Sequence, residues 1–161
     1  MDEDRLSRLW NIAPVMTEAT PHAREIGIKF VAVDIGRATL SLDYNKNLIG
    51  DPKTKVVHGG AVTTLLDQAC GLAALAGFEA PTAAATLNLS IDYMRAAKPG
   101  EAIIAEAHCY KTTRHVAFVR AIAHDGDDEN PVAMAQATFM ATAFPGARKT
   151  KTKAAPPETK R

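Results

Sequence analysis

Apolar residues recur along this chain with two different periods, and the switches between them divide it into elements. Leu6, Leu9, Trp10 and Ala13 fall at i, i+3, i+4 and i+7, which predicts a short amphipathic helix with Asp2 or Asp4 near its start. Pro14 should end that helix, and Pro21 should keep the next segment irregular. From Ile26 to Tyr44 the period becomes two. Ile28, Phe30 and Ala32 alternate with Lys29 and Val31, and Ala38, Leu40 and Leu42 alternate with Thr39, Ser41 and Asp43. Asp34-Ile35-Gly36-Arg37 between them reads as a hairpin turn with Gly36 left-handed. Asn45 to Lys55 reads as a polar loop containing Gly50 and Pro52.

The stretch from His58 to Leu75 is helix-periodic and almost wholly apolar. Leu65, Leu66, Leu72 and Leu75 wrap around the helix instead of forming one stripe, which predicts a helix covered on most sides. Its other residues are largely Ala, Gly, Thr and Cys, small enough for another backbone to come close. One carboxylate, Asp67, interrupts the run and is expected to be buried in it. A buried unpaired carboxylate is expensive, so Asp67 must be paired or used.

Gly77 to Pro81 reads as a helix terminator and turn. Thr86 to Met94 then alternates strictly, placing Leu87, Leu89, Ile91 and Tyr93 on one face and Thr86, Asn88 and Ser90 on the other. Lys98-Pro99-Gly100 is a turn, and three further strands are predicted over Glu101 to Tyr110, His115 to His124 and Val132 to Ala143. In the last, Ala133, Ala135, Ala137, Phe139 and Ala141 share a face, and methyl groups there suit a helix pressed close to a sheet. Strands flanking one buried helix predict an α+β domain, a curved antiparallel sheet wrapped around the long helix. The four closing strands, joined by short connections, should be antiparallel neighbours.

With 47% hydrophobic residues in 161, one domain with a sizeable core is expected. The organisation predicted is an N-terminal helix and connector over 1–24, the main domain over 25–146, and a disordered basic tail over 147–161. The net charge of +1 hides an asymmetry: the tail carries six bases and one acid, leaving 13 bases against 17 acids elsewhere. A nucleic-acid binder should carry its positive charge on the folded part, so no nucleic-acid partner is expected. Cys70 and Cys109 have neither metal-ligand nor redox spacing and read as reduced thiols, Cys70 as packing. The five histidines (His22, His58, His108, His115 and His124) show no metal spacing either. Gly50-Asp51-Pro52-Lys53-Thr54 lacks the glycine pattern of a phosphate loop. Met1-Asp2-Glu3-Asp4 is acidic where a signal peptide is basic, and no apolar run reaches about 18 residues. A cytoplasmic protein with no membrane partner is the expectation.

Two features of the long helix carry chemistry. At its start, Gly59 and Gly60 sit where unpaired N–H groups and the positive end of the helix dipole collect, suited to a negatively polarised oxygen. His58 precedes them, placed to cap or orient. Asp67 lies eight residues beyond Gly59, about 12 Å along the axis at ~1.5 Å per residue. Both groups must come within about 3 Å of one reacting carbonyl, so one helix cannot serve the same substrate with both. Two antiparallel copies could, which predicts a site shared across a two-fold dimer.

His58-Gly59-Gly60 followed by Asp67, then Leu87-Asn88-Leu89-Ser90-Ile91-Asp92-Tyr93-Met94-Arg95 and Lys98-Pro99-Gly100, resembles the hotdog-fold acyl-CoA thioesterases of the phenylacetic-acid-degradation type. The likeness covers roughly residues 25 to 143. It implies a sheet around a central helix, homodimers and usually dimers of dimers, no cofactor, and an acyl-CoA substrate. It also implies that Asp67 is the general base or nucleophile and that the Gly59 N–H polarises the thioester carbonyl from the opposite subunit. Thr86 occupies a position where some relatives place a Ser that positions the attacking water. Some relatives carry an Asn shortly before the His-Gly-Gly; here Asn47 and Asn45 lie beyond the stretch Leu48 to Val57. Gln68 is a further substrate-contact candidate beside Asp67. Arg95, Lys111, Arg114 and His115, at strand ends, are candidates for the coenzyme A phosphates. The competing readings are a non-catalytic acyl-CoA-binding hotdog domain and a hotdog hydratase or dehydratase. The second relies on a His–acid pair in a different local pattern.

Overall fold

The computed structural model describes residues 2–79 and 83–142, the side chain of Asp2 excepted; the predicted basic tail and the turn at Ala80-Pro81 lie outside them. Two helices open the chain, α1 (Asp2–Glu18) and α2 (Pro21–Ile26), followed by β1 (Ile28–Asp34) and β2 (Arg37–Leu42). A 3-10 turn (Lys46–Leu48) and a small hairpin, β3 (Ile49–Asp51) and β4 (Val56–Val57), lead into α3 (Gly59–Gly77). Four strands close the fold: β5 (Ala83–Tyr93), β6 (Ile103–Thr112), β7 (Val116–His124) and β8 (Ala133–Thr142).

The six long strands form one antiparallel sheet in the order β1-β2-β6-β7-β8-β5. α3 touches all six, which requires the sheet to curve around it. The concave face explains how. Ala105, Ala107, Ala117, Ala121, Ala123, Ala133, Ala135 and Ala137 are all buried, so mostly methyl groups separate helix from sheet. Leu65, Leu66, Ala69, Cys70, Ala73 and Ala74 of α3 have no solvent exposure. Cutting Leu65 or Leu66 back to Ala would cost about 2–5 kcal/mol in such a core. At the C-terminal end of α3, a Cβ on Gly77 would lie 2.7 Å from Cys109 Sγ, so only glycine fits against β6.

Several predicted boundaries move. The first helix runs through Pro14 to Glu18: only one hydrogen bond is lost, toward Trp10, which lies on the half-exposed side. Pro21 starts α2 at a position where its missing N–H is not needed. A register shift between Phe30 and Ala32 puts Val33, not Ala32, into the core. The polar loop after Asn45 contains the β3–β4 hairpin.

The largest difference is at β5. It pairs with β8 at the far side of the sheet and is not a neighbour of β6. The sheet therefore has two edges, which differ. β1 is covered by α1, where Glu18 Oε1 accepts the Phe30 N–H at 3.0 Å. β5, eleven residues long, is the last strand in the sheet order, and no strand of the described residues pairs with its outer side.

Candidate active site

The start of α3 is held by its own side chains. His58 is the N-cap, and its Nδ1 accepts the Gly60 N–H at 2.9 Å, which leaves the ring proton on Nε2. A Cβ on Gly60 would sit 2.9 Å from that Nδ1, so the cap needs glycine there. The Gly59 carbonyl accepts from Tyr93 Oη at 2.8 Å and from Thr63 Oγ1 at 3.1 Å. Among the described residues the Gly59 N–H has no acceptor and stays available at the positive end of the helix. Tyr93 thus ties the end of β5 to the helix start, a role that strand alternation alone gives no reason to expect.

Two turns further on, Asp67 is half-buried in the protomer, not enclosed as the apolar run suggested. Its Oδ1 accepts the Thr86 hydroxyl at 3.0 Å. Strict alternation had put Thr86 on the other face of β5. A bulge at Leu87, between the pairs Thr86–Phe139 and Asn88–Thr138, resets the parity. Thr86 then faces the helix together with Leu89 and Ile91, and Leu87 turns outward, 54% exposed. Asp67, Gln68 and Thr86 share a pocket of about 200 Å³ whose remaining wall is mainly apolar: Met16, Gly71, Leu72, Leu75 and Phe139. Cys70, one turn on, is fully buried, and burial together with the Asp67 charge pushes its thiol up to about 12, far from a nucleophilic thiolate.

Other candidates divide. Asn47 is brought to the helix start after all: the β3–β4 hairpin loops out, the His58 N–H bonds the Leu48 carbonyl at 2.7 Å, and Asn47 lines a 320 Å³ groove with His58, Gly60 and Thr64. Asn45 caps the 3-10 turn by accepting the Asn47 N–H. Arg95 lies near Gly59 in a second groove, but its guanidinium is committed. It makes a two-pronged ion pair with Asp125 (2.8 and 2.6 Å) and donates to the Asn130 and Ala96 carbonyls. That pair, with the Lys98 N–H, holds the Asp125 carboxyl well below the usual carboxylate range. Its geometry is that of a clamp on the loop after β5. Lys111, Arg114 and His115 are exposed on the β6–β7 turn, whose Thr112 approaches Gly77 at the far end of α3. Within one protomer they meet neither His58 nor Asp67.

A family model described as the thioesterase superfamily matches residues 54–132, from the hairpin before α3 to the edge of β8. Among solved structures, a Pseudomonas aeruginosa protein shares 36% identity at a TM-score of 0.75, over 82% of this chain and 98% of its own. The PaaI protein of the E. coli phenylacetic acid degradation operon is 19% identical at a TM-score of 0.75, over 86% of this chain and 96% of its own, a likeness of fold. A Streptococcus mutans protein bound to acetyl CoA is likewise similar in fold, 23% identical at a TM-score of 0.62, over 72% of this chain and 89% of its own. A curated Halobacterium salinarum protein with an unproven esterase assignment is 34% identical over 76 residues, 45% of this chain; the chain spans about half the length of that relative. Among the described residues no helix is long and apolar enough to cross a membrane.

Proposed function

The chain belongs to the thioesterase superfamily and has its hotdog fold, and we propose that it hydrolyses an acyl-CoA thioester to the free acid and coenzyme A in a site shared by two subunits. The observation that carries this reading is the Asp67 carboxylate, hydrogen-bonded by Thr86 in a pocket whose remaining lining is mainly apolar. A carboxylate there can act on a carbonyl whose acyl group lies in the pocket. The acetyl CoA bound to the Streptococcus mutans relative supports coenzyme A as the carrier.

The second half of the site is the Gly59 N–H of the partner subunit. Thr86 marks where β5 passes Asp67, and Tyr93 marks where it passes Gly59. If two copies of β5 pair antiparallel about Ser90, with the bulge at Leu87 passed over, Thr86 of one falls opposite Tyr93 of the other, both on the helix side. Asp67 then meets the helix start of its neighbour. An open strand edge is a liability that such pairing removes. A dimer of dimers is the further assembly that the family resemblance implies, in the cytoplasm.

As attack on the thioester carbonyl begins, negative charge moves to its oxygen, and the Gly59 N–H stabilises it; one such donor is worth about 3–4 kcal/mol. His58 and Gly60 keep that helix start in place, and Asn47 and Gln68 contact the substrate on either side. Asp67 acts by one of two routes. As a base it takes a proton from water, whose oxygen bonds to the carbonyl carbon while the C–S bond breaks and the thiolate is protonated. As a nucleophile it bonds to the carbonyl carbon itself, expels the thiolate, and the mixed anhydride is then hydrolysed. Only the second route gives an intermediate that hydroxylamine can convert to an Asp67 hydroxamate. Lys111, Arg114 and His115, from a neighbouring subunit, remain candidates for the nucleotide phosphates; Arg95 is given up as one, because its donors are spent on Asp125, Asn130 and Ala96.

Release of free thiol from a panel of acyl-CoA esters tests the function. Native protein should turn over at least one ester, and Asp67→Ala should lose about 10²–10⁴-fold while folding normally. Binding without turnover by the native protein would favour a non-catalytic acyl-CoA-binding domain.

A further inference from the structure

The pocket beside Asp67 is lined partly by α1. Along α3, Asp67, Gly71 and Leu75 succeed one another at four-residue spacing on one face, so the pocket follows about 12 Å of helix from the carboxylate. Gly71 stands halfway. Phe139 faces it: a Cβ added to Gly71 would meet the Phe139 ring at 3.4 Å, an ordinary contact that would narrow the pocket without forcing the helix away. Met16 and Thr17 of α1 contribute the wall opposite α3.

α1 is fixed by bonds remote from the pocket. Arg5, Leu9, Ala13 and Thr17 form a four-residue stripe, of which Leu9, Ala13 and Thr17 are buried. Its first member donates from Nη2 to the carbonyls of Ala76 and Phe78, both at 2.6 Å. These are carbonyls at the C-terminal end of α3, which a cation is well placed to satisfy. Arg5 thereby locks α1, through Ala76, 71 residues further along, to the helix that carries Asp67. Trp10, edge-on to Phe30 at 5.3 Å, holds the outer side of α1 against β1.

We infer that Gly71 and Met16 set the size of the acyl group: Gly71 leaves room for it beside Asp67, and Met16, 36% exposed on an α1 clamped by Arg5, lines the same pocket from α1. The pocket is open to solvent and holds about 200 Å³, so it takes a short acyl chain in full and leaves the end of a long one outside. This inference rests on the acyl-CoA reading of the same site.

Two measurements, made on the full chain, test it. The first is kcat/KM for acetyl-, hexanoyl- and palmitoyl-CoA. Native protein should prefer hexanoyl- to palmitoyl-CoA by at least about 100-fold. Gly71→Ala should lower the hexanoyl-to-acetyl ratio by about 10-fold while melting no lower than native, since Ala is the better helix former. Met16→Ala should raise the palmitoyl-to-hexanoyl ratio by about 10-fold, as should Arg5→Met if the clamp holds the wall. The second is binding of non-hydrolysable S-alkyl coenzyme A thioethers of the same lengths, read by titration. A length cut-off in binding without turnover would overturn the thioesterase reading and leave the size filter standing. Palmitoyl-CoA turned over as well as hexanoyl-CoA, or ratios unchanged in both Gly71→Ala and Met16→Ala, would overturn the filter and leave the thioesterase standing.

Discussion

Thr86 donates its hydroxyl hydrogen to Asp67 across 3.0 Å, from a strand whose simple alternation would have turned it the other way. The contact exists because β5 carries a bulge at Leu87, next to the residue it re-aims. A hydrogen bond to a charged acceptor is worth about 1.5–3 kcal/mol. Thr86→Val keeps the β-branched shape that suits a strand and removes only the hydroxyl. We expect kcat to fall about 10- to 100-fold and the melting temperature by a few degrees, and Thr86→Ser to retain most of the activity. Full activity in Thr86→Val, measured by thiol release, would mean that the hydroxyl does not act through Asp67.

The same bulge exposes Leu87 on the open edge of the sheet, where it is 54% accessible in the protomer. In the proposed dimer that edge meets its own copy. Leu87→Glu would bring a carboxylate of each copy beside Asp92 of the other, a like-charge juxtaposition that disfavours pairing. Analytical ultracentrifugation at micromolar concentration should show the native dimer or a larger assembly shifting toward monomer. Thioesterase activity should fall in parallel, though Leu87 touches neither Asp67 nor Gly59. An intact, fully active oligomer would place the interface elsewhere.

How far the sequence reveals this site depends on which interactions leave a periodic trace. α3 is legible from end to end, because its Leu residues wrap the helix and His58-Gly59-Gly60 marks the cap. The alanine face of β8 is legible for the same reason: Ala133, Ala135, Ala137 and Phe139 keep one period and are all buried. Thr86 is not, since a one-residue bulge inverts a face without changing composition. Nor is the place of β5 at the sheet edge, which depends on non-local pairing with β8 that the short connection to β6 conceals. Asn47 looks remote until the β3–β4 hairpin is seen to fold out of the way and bring Leu48 to His58. Arg95 looks free because its partner, Asp125, is 30 residues distant. Helix α1 outlasts Pro14 because packing of Ala13 and Thr17 outweighs one lost hydrogen bond.

The Arg95–Asp125 clamp should make stability depend on pH. The Asp125 side chain is fully buried, accepts both prongs of Arg95 and the Lys98 N–H, and its carboxyl is held below its ordinary value chiefly by Arg95. A carboxyl with a lowered pKa in the folded state binds fewer protons there than in the unfolded chain. Its stabilisation is therefore complete above the unfolded pKa of about 4 and is lost as the pH falls from there toward the folded value. Asp125→Asn, which leaves Arg95 without its counter-charge, should cost about 3 kcal/mol at pH 7. In urea titrations the gap between native and variant should begin to narrow as the pH falls below about 4 and keep narrowing as the pH is lowered further toward the folded value. A gap independent of pH would show that the ion pair contributes no net stability.

The strongest test of the shared site uses the one substitution that removes the Gly59 N–H with little else disturbed. Gly59 is the first residue of α3, a position where proline is well tolerated because its N–H has no partner within the helix. His58, at φ −61 and ψ 134, already has the extended backbone that a residue before proline adopts. A side chain at Gly59 would meet the Tyr93 ring at 3.5 Å, ordinary contact. Gly59→Pro should therefore fold and dimerise, keep the His58 cap on Gly60, and lose about 10²–10³-fold in kcat for want of the oxyanion donor. Mixed with Asp67→Ala through unfolding and refolding, it should form heterodimers in which one site has lost both groups and the other has both. Random pairing of the two chains then restores about a quarter of native activity from two inactive parents. If Asp67 and Gly59 of the same subunit served one substrate, no mixture would recover anything.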